Sequence, residues 1–350
     1  MHIPLDAPVL KGNEKEYLNR CIDTNWISWQ GEFVDKLEQE IAAYCNTNYG
    51  LTIVNGTYAL ITALRVLGIG KDDEVIVPTL TMSATTFAVS SLGAKVVFAD
   101  CAPNSLNAEA EQIKEKLTPK TKAIIAVHLY GSPCDIEAIK EAVGDIPVIE
   151  DAAESFGAEI NGKRVGSLGD LACHSFHNKI IASGEGGAIT FNNPTYRDKI
   201  IQLRTPAENN ASGTELCLNN RMSNIAAAVA LAQLEQIDSL IEKRRHIANL
   251  YNNYFKNIIP EIHKNVYWRY QIFVAADKRQ HLIEKLKNKG IESRAVFTPM
   301  HKHPYYKDTG NYPNAELIST TGLDIPTSPA LTEKQVDYVA TTILEICNAE

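Results

Sequence analysis

The sequence has no excess of basic residues and no long uncharged apolar run. Its 350 residues carry 34 Lys and Arg against 42 Asp and Glu, a formal net charge of −8, whereas a nucleic-acid binder typically presents a basic stripe. No window has the length of apolar residues that a transmembrane helix needs, and the first six residues lack the order of a signal peptide. We therefore expect a cytoplasmic protein that binds neither nucleic acid nor a membrane.

Cysteine and histidine motifs are also missing. The seven cysteines are odd in number, scattered and without a CxxC pair, which is typical of reduced thiols rather than of disulfides or zinc sites. The nine histidines form no HExxH. His301 and His303 lie two apart on a predicted loop, which is a weak pattern for a metal site. The sequence therefore predicts no metal centre.

Runs of β-branched and apolar residues alternate with helical patterns through the first half of the chain. Such alternation indicates a mainly parallel sheet covered by helices on both faces. Ligands of these sheets bind outside the carboxyl ends of the strands, so polar residues at those ends are candidate site residues. The strand-like runs are 51–54, 74–78, 95–100, 123–128 and 147–151.

The second half of the chain predicts a smaller unit. One long helix is expected from near Asn224 toward Tyr254, followed by further alternating strand and helix patterns. We therefore expect a large α/β domain over residues 1–235 and a smaller C-terminal α/β domain over residues 236–350.

Two tryptophans lie in the short segment Asn25–Gly31. Large aromatic rings are highly buried on average in folded proteins. We therefore expect Trp26 and Trp29 to anchor this loop by burial of their rings.

One lysine lies between two short apolar runs. Residues 171–173 and 188–191 are strand-like, and between them stand Lys179 and the glycine-dense segment Gly184–Gly187. This order predicts a strand, a tight loop that holds the lysine, and a second strand. A lysine on rigid elements beside closely approaching backbone could form a Schiff base. Taken alone, however, the segment favours a solvated lysine in a glycine turn.

Two further segments are candidates for ligand contacts. Asn55-Gly56-Thr57 joins a strand to a helix, and the free amides of a helix N-terminus bind anions. The alternative is a plain helix cap formed by Asn55 or Thr57. Asp151 ends an apolar strand, where a carboxylate could bond a protonated ring nitrogen, or it could cap a helix that begins at Ala152.

Several segments in order carry a resemblance to a known family. The chain resembles the DegT/DnrJ/EryC1/StrS family of pyridoxal-phosphate (PLP) sugar aminotransferases, whose fold is that of the fold-type I, aspartate aminotransferase-like enzymes. The match covers nearly the whole chain and is most similar to the perosamine-synthase branch, which aminates carbon 4 of a nucleotide-linked 4-keto-6-deoxyhexose. The matching segments are 26–31, 55–57, 77–81, 127–131, 150–154, 175–176, Lys179 with 184–187, and 219–222.

The resemblance implies a role for each matching residue. Lys179 would bind PLP covalently and, once released, carry a proton between the amino acid and the cofactor. Asp151 would pair with the pyridinium nitrogen, and Glu154 would bond the phenolic oxygen. Because the family's dehydratase branch has histidine in place of the lysine, Lys179 favours transamination.

The resemblance also implies how the phosphate is held. The amides of Gly56 and Thr57 and the hydroxyl of Ser175 would surround it. Asn219 matches an asparagine that reaches the phosphate from the neighbouring subunit, which implies a homodimer with shared active sites.

The sequence departs from the family pattern beside the lysine and on the cofactor face. Met82 stands where an aromatic residue usually stacks on the pyridine ring, and a thioether packs on a ring with different contacts. Val54 replaces a common serine. Only His177 and Asn178 separate Ser175-Phe176 from Lys179, one residue fewer than usual.

The expected reaction runs in two half-reactions. L-Glutamate would convert PLP to pyridoxamine 5'-phosphate and leave as 2-oxoglutarate, and the pyridoxamine form would aminate a GDP- or dTDP-linked keto-sugar for deoxyaminosugar, O-antigen or other surface-polysaccharide biosynthesis. Arg294, His301 and Tyr305 lie on a segment that the family has near the substrate entrance.

Three alternatives stand beside this expectation. The same fold could aminate carbon 3 of a sugar or a cyclitol ketone, because pocket shape decides the position. A nicotinamide oxidoreductase needs a GxGxxG between the first strand and helix, and none is present. A non-catalytic PLP-fold protein would have no need for both Lys179 and Asp151.

Overall fold

The computed structural model describes residues 2–206, 216–255 and 264–348. Strands and helices alternate through the first range, as the sequence predicts. The strands are β1 (Tyr49–Ile53), β2 (Glu74–Pro78), β3 (Lys95–Ala99), β4 (Thr121–Val127), β5 (Val148–Asp151), β6 (Glu159–Ile160), β7 (Lys163–Arg164), β8 (Leu171–Ser175), β9 (Gly187–Phe191), β10 (Tyr270–Phe273), β11 (Arg294–Ala295) and β12 (Gly322–Ile325).

The longer helices bury a stripe of apolar residues at helical spacing, for example Phe33, Leu37 and Ile41 in the helix Glu32–Cys45. The helices are α1 (Glu14–Asp23), α2 (Glu32–Cys45), α3 (Gly56–Val66), α4 (Ser83–Ser91), α5 (Ala110–Lys114), α6 (Ile136–Val143), α7 (Pro194–Arg204), α8 (Asn224–Leu234), α9 (Ile237–Asn252), α10 (Ala276–Asn288), α11 (Pro313–Thr321) and α12 (Glu333–Asn348).

The central sheet has the strand order β1-β9-β8-β5-β4-β2-β3 in the described chain. Strands β3, β2, β4, β5 and β8 are parallel, whereas β9 is antiparallel to both of its neighbours. Apolar clusters cover the sheet on both faces, which explains why its strands are continuous apolar runs. The prediction of a mainly parallel α/β sheet is therefore confirmed. The antiparallel pair β8–β9 matters most, because the loop that joins it carries Lys179.

A smaller antiparallel sheet, β10-β12-β11, belongs to a separate apolar cluster. This cluster contains residues from α9, α10 and α12, and it also takes in Ile3 from the N-terminal segment, which pairs with Ile291. The division into residues 1–235 and 236–350 stays a prediction.

The single long helix expected from Asn224 to Tyr254 is wrong. The chain forms α8 and α9 with a break at Glu235 and Gln236. The Gln236 side chain donates to the Ala232 carbonyl at the end of α8 and to Glu14 of α1. The bond to Ala232 satisfies a carbonyl that would accept from a backbone amide in a continuous helix, and the bond to Glu14 ties the break to α1.

The expected burial of the two N-terminal tryptophans is also wrong for the single chain. Trp26 is 52% exposed and Trp29 is 37% exposed. Their loop is anchored by Asn224 instead, whose side chain donates to the Trp26 carbonyl at 2.7 Å and accepts from the Phe33 amide at 3.0 Å. The side-chain amide of the buried Asn224, rather than burial of the tryptophan rings, therefore anchors the loop.

None of the helices in the described ranges combines the length and the apolar character that crossing a membrane requires.

Candidate active site

A pocket of about 230 Å³ opens where β4, β5 and β8 end and α3 and α4 begin. This is the edge at which open α/β sheets bind ligands. The structure brings together in its wall seven residues that the sequence predicted as cofactor contacts. They are Gly56, Thr57, Met82, Asp151, Glu154, Ser175 and Lys179.

Lys179 is not the solvated turn residue that its segment alone favoured. It is 6% exposed, and its Nζ lies 3.0 Å from Glu154 Oε1. The other oxygen, Glu154 Oε2, accepts from the Tyr130 amide at 2.8 Å. A buried ammonium requires such a paired and hydrogen-bonded partner. The lysine is therefore held at the pocket wall with a defined orientation.

Sequence reasoning missed a second partner of this lysine. Lys179 Nζ lies 3.4 Å from the ring centre of Trp268, a cation–π contact in a buried setting. The indole Nε1 donates to the Asn178 carbonyl at 3.3 Å, and Tyr130 stacks on the indole. Trp268 thus supports both the side chain of Lys179 and the backbone that precedes it.

Replacing Trp268 by Leu should slow the covalent capture of PLP by the apoprotein about tenfold. A desolvated cation–π contact contributes about 2 kcal/mol, most strongly with Trp, and the variant also loses the bond to Asn178. Borohydride fixation of PLP, followed by mass spectrometry, measures the rate. Trp268→Phe keeps a ring and should recover part of it. A capture rate equal to that of the unaltered protein in both variants would show that the ring does not position Lys179.

Asp151 ends β5 and lies almost fully buried beneath the pocket. Its Oδ2 accepts from Thr85 Oγ1 at 2.8 Å, and its Oδ1 accepts from the Ala153 amide at 3.2 Å. Residues 153–154 form a turn, and no helix begins at Ala152, so the helix-cap alternative is wrong. Burial raises the pKa of Asp151, while the bonds from Thr85 and Ala153 lower it. A cation in the pocket would stabilise the ionised form further.

The strand that ends at Asp151 is fixed by a buried glutamate that the sequence did not single out. Glu150 accepts from His128 Nε2 at 3.1 Å and from the amides of Gly166, Leu168 and Gly169 at 2.7–2.9 Å. Burial alone would raise the pKa of Glu150, but the bonds from His128 and the glycine amides lower it overall. The neighbouring Asp151 is thereby held at the pocket floor.

The N-terminus of α3 and the Ser175 hydroxyl form a candidate anion cradle. Asn55 caps the helix by accepting from the Tyr58 amide at 3.1 Å, as the plain-cap alternative proposed, and the earlier amides of a helix have no intrahelical acceptors. Those amides belong to Gly56 and Thr57. A Cβ at Gly56 would lie 2.8 Å from Ser175 Cβ and 3.2 Å from its Oγ. Glycine therefore keeps open the space between the helix end and the Ser175 hydroxyl.

Gly56→Ala should raise the dissociation constant of PLP at least about tenfold, because the new methyl group displaces Ser175 from the cradle. Alanine favours a helix more than glycine does, so a loss of PLP affinity in this variant would not result from poorer helix formation. Absorbance titration of the apoprotein with PLP measures the constant. Gly70→Ala is the matched control, since nothing lies within 4 Å of its added Cβ. Equal affinity in the two variants would contradict the cradle.

Met82 lines the pocket just before α4 and is 45% exposed. Its predicted contact with the cofactor ring stays a prediction. Asn219 lies outside the pocket of the single chain, exposed, with its Oδ1 accepting from Arg221 Nε at 3.0 Å. Its predicted reach into a neighbouring subunit also stays a prediction.

The three residues expected at the substrate entrance have different positions. His301 is buried, with its ring nitrogens 2.7 Å from Thr79 Oγ1 and 3.1 Å from Glu316 Oε1. Tyr305 is 64% exposed and lies edge-on to Phe87. Arg294 is exposed and lines a separate cavity. In the described chain none of the three lines the catalytic pocket, and their substrate roles stay predictions.

Comparison with known proteins gives one family. The profile of the DegT/DnrJ/EryC1/StrS aminotransferase family matches residues 8–344. The chain is 39% identical to GDP-perosamine synthase of Escherichia coli O157:H7 over 98% of both chains. It is 37% identical to GDP-perosamine synthase of Vibrio cholerae over 99% of this chain and 97% of that one. Of the solved structures, the sugar aminotransferase candidate Spr1654 of Streptococcus pneumoniae in its PLP form is 26% identical, covers 98% of both chains and has a TM-score of 0.90.

Proposed function

This chain belongs to the DegT/DnrJ/EryC1/StrS aminotransferase family, and we propose that it transfers an amino group from L-glutamate to carbon 4 of a GDP-linked 4-keto-6-deoxyhexose. As a member of the family it is a PLP-dependent transaminase that acts on a sugar and an amino donor. The observation that supports the transaminase chemistry is that Lys179, Asp151 and the N-terminus of α3 lie in one pocket. A PLP site needs all three together.

The residues of the pocket fit PLP. The Gly56 and Thr57 amides and the Ser175 hydroxyl suit its phosphate, Asp151 suits a protonated ring nitrogen, and Lys179 suits its aldehyde. When bound, PLP supplies the electron sink that stabilises the carbanion of the amino acid. The phosphate contact, the ring charge and the lysine lie on three different elements, α3, β5 and the β8–β9 loop, so the fold itself sets their spacing.

We assign proton transfer to Lys179. Its Nζ would move a proton from the donor Cα to the C4′ carbon of the cofactor in the first half-reaction, and from that C4′ carbon to the sugar carbon in the second. Glu154 and Trp268 orient the Nζ between these steps, since both contact it from the protein side. Asp151 would hold its negative charge against the ring nitrogen when the cofactor is bound. Positioning of these groups is what the protein adds to the chemistry of the cofactor.

The substrate proposal is supported by the relatives, two of which are GDP-perosamine synthases that align over nearly the whole chain. Amination at carbon 3 or of a cyclitol ketone is not favoured by this similarity. We further propose a homodimer in which Asn219 of each chain reaches the phosphate in the other. The exposed Trp26 and Trp29 rings support an interface on that side, because Arg221, which bonds Asn219, lies over the Trp29 ring at 4.0 Å.

One assay tests this function. The enzyme is converted to its pyridoxamine form with L-glutamate and then mixed with GDP-, dTDP- or UDP-linked 4-keto-6-deoxy sugars. We expect the GDP sugar to restore the PLP absorbance fastest, with a 4-amino sugar as product by mass spectrometry and NMR. A faster reaction with a dTDP or UDP sugar, or a 3-amino product, would overturn the substrate assignment. A protein that never changes absorbance with any amino acid would overturn the transaminase role.

A further inference from the structure

The carboxylate of Asp151 lies at the end of a chain of two buried hydroxyls. Its Oδ2 lies 2.8 Å from Thr85 Oγ1, and Thr85 Oγ1 lies 2.8 Å from Thr81 Oγ1. All three residues are at most 5% exposed, and all three line the catalytic pocket. Thr85 lies in the first turn of α4, and Thr81 lies two residues before that helix. The hydroxyl chain therefore ties the pocket floor to the start of α4.

The direction of the two hydrogen bonds follows from the charge of Asp151. An ionised carboxylate only accepts, so Thr85 must donate to it, and the Thr85 oxygen is then left to accept from Thr81. If Oδ2 takes up a proton, both bonds can reverse, but they then join neutral groups. Bonds to an ionised group are roughly twice as strong as neutral ones, and bonds in a chain polarise one another. The two hydroxyls therefore favour the ionised carboxylate.

Among the described residues, Thr85 opposes the burial of this charge most strongly. Burial raises the pKa of Asp151, whereas the bond from Thr85 lowers that pKa. The Ala153 amide and the Lys179 ammonium lower the pKa by smaller amounts, and the Glu154 carboxylate raises it. Lys179 is also paired with Glu154, so its charge is largely balanced there.

The two strands beside Asp151 present no charge to its carboxylate within the described chain. Cys173 of β8 pairs with Asp151, and burial raises the pKa of its thiol well above the usual range. Val127 of β4 pairs on the other side, and the ring of the following His128 bonds Glu150. Since successive side chains of a strand point to opposite faces, Glu150 points away from the face of Asp151. Thr85 is therefore the group best placed to keep Asp151 ionised.

The charge of Asp151 decides where a proton lies when the cofactor is bound. The carboxylate and the ring nitrogen are an acid–base pair that shares one proton, and the ring is a strong electron sink when the nitrogen holds it. A desolvated site favours the neutral form of such a pair, whereas hydrogen bonds to the carboxylate favour the ionic form. Without the bond from Thr85, Asp151 becomes the stronger base and takes the proton at Oδ2.

We propose that Thr85, and behind it Thr81, are positioning residues that act through Asp151: their hydroxyl chain holds its carboxylate ionised and so leaves the shared proton on the ring nitrogen. This inference rests on the transaminase part of the proposed function and is independent of the identity of the sugar. Both half-reactions use the same ring, so both depend on the two hydroxyls.

The carboxylate can be titrated in the apoprotein, where neither cofactor nor turnover is needed. In protein with 13C-labelled aspartate, the Asp151 signal is assigned by its loss in Asp151→Asn. We expect its proton affinity to be about tenfold higher in Thr85→Val than in the unaltered protein, and Thr85→Ser, which keeps the hydroxyl, to restore most of the difference. Thr86→Val is the matched control, since Thr86 is equally buried on the same helix but donates to the Ser83 carbonyl.

The ring nitrogen reports the second half of the inference. 15N NMR of PLP labelled at the ring nitrogen distinguishes a protonated ring from a neutral one, and the unaltered protein should give the protonated signal. Thr85→Val should move the signal toward the neutral ring and slow both half-reactions by a similar factor, with half-saturating concentrations little changed. Thr81→Val leaves the bond from Thr85 to Asp151 in place, so it should change both quantities in the same direction but by less.

Each outcome of these measurements decides the inference. If Thr85→Val matches Thr86→Val in the carboxylate titration, or slows the reaction without moving either NMR signal, the hydroxyl chain is only structural and the inference is overturned, while the function stands. A shifted titration with a ring that stays protonated overturns it too, because the proton then does not follow the carboxylate. If the unaltered protein never transaminates, the function fails, but both NMR signals still decide the role of the hydroxyls.

Discussion

Lys179→Ala should lower kcat for transamination by at least about 10³-fold. The substitution removes both the amine that binds PLP covalently and the Nζ that carries the proton, and general acid–base catalysis alone contributes about 10²–10⁴-fold. Stopped-flow absorbance of the L-glutamate half-reaction measures the loss. Borohydride treatment should leave the variant without covalently fixed PLP, whereas the unaltered protein should retain it at Lys179.

Two further variants separate chemistry from structure. Lys179→Ala leaves Glu154 buried without its ion-pair partner, although the Tyr130 amide still donates to it, and this costs about 1–3 kcal/mol of stability. Lys179→Arg restores a cation for Glu154 but forms no covalent bond with PLP, so it should recover the Tm without activity. Lys334→Ala, exposed on α12, should change neither. A Lys179→Ala protein with a normal kcat would contradict the catalytic role of Lys179.

The pocket floor and the sheet could be predicted from the sequence because their signals are local. Asp151 directly follows a strand of β-branched residues, and Gly56 lies where a strand meets the start of a helix. Both patterns predict that the residue lies at the carboxyl edge of the sheet. The same holds for the strand–loop–strand around Lys179. In each case the backbone geometry of one short segment determines which edge of the sheet the residue reaches.

The contacts that orient Lys179 could not be predicted, because they depend on packing between distant segments. Trp268 is 90 residues from the Asn178 carbonyl that it bonds, and neither residue carries a local pattern that indicates the pairing. The break between α8 and α9 likewise depends on Gln236 meeting Glu14 of α1. The prediction for Trp26 and Trp29 is wrong for a similar reason: their loop is held by the side chain of Asn224, which is 198 residues from Trp26, and the rings stay exposed in the chain.

The start of helix α11 carries a local sequence signal. Helix α11 begins at Pro313, and proline at the first turn of a helix has a fixed φ and loses no intrahelical bond. Its first amides, at Asn314 and Ala315, donate to the Asp100 carboxylate at 3.0 and 2.8 Å. The proline therefore marks the start of the helix, whereas the bonds to Asp100 that tie this helix to the end of β3 join segments more than 200 residues apart.

Asp151→Asn should lower kcat about 10²–10³-fold while leaving the apoprotein at least as stable as before. The amide has nearly the volume of the carboxylate but no charge to hold the ring nitrogen protonated, and removing one such electrostatic contact costs about that factor. The hydrogen bonds survive: the amide oxygen still accepts from Ala153, and the new NH₂ donates to Thr85, whose hydroxyl then donates to Thr81 at 2.8 Å.

The stability of this variant follows from the sign of the pKa shift. Burial raises the pKa of Asp151 in the folded apoprotein, so the native state holds a proton at pH values where the unfolded chain has already released it. Stability then falls as the pH rises through this window, and the neutral amide removes that loss. Urea unfolding of the apoprotein at neutral pH should give Asp151→Asn a free energy of unfolding equal to or above that of the unaltered protein, with Asp198→Asn, highly exposed, as control. An Asp151→Asn variant that is both less stable and fully active would mean that Asp151 has only a structural role. A variant that is stable but inactive means that the buried carboxylate lowers the stability of the protein and is needed for the charge that it presents to the cofactor.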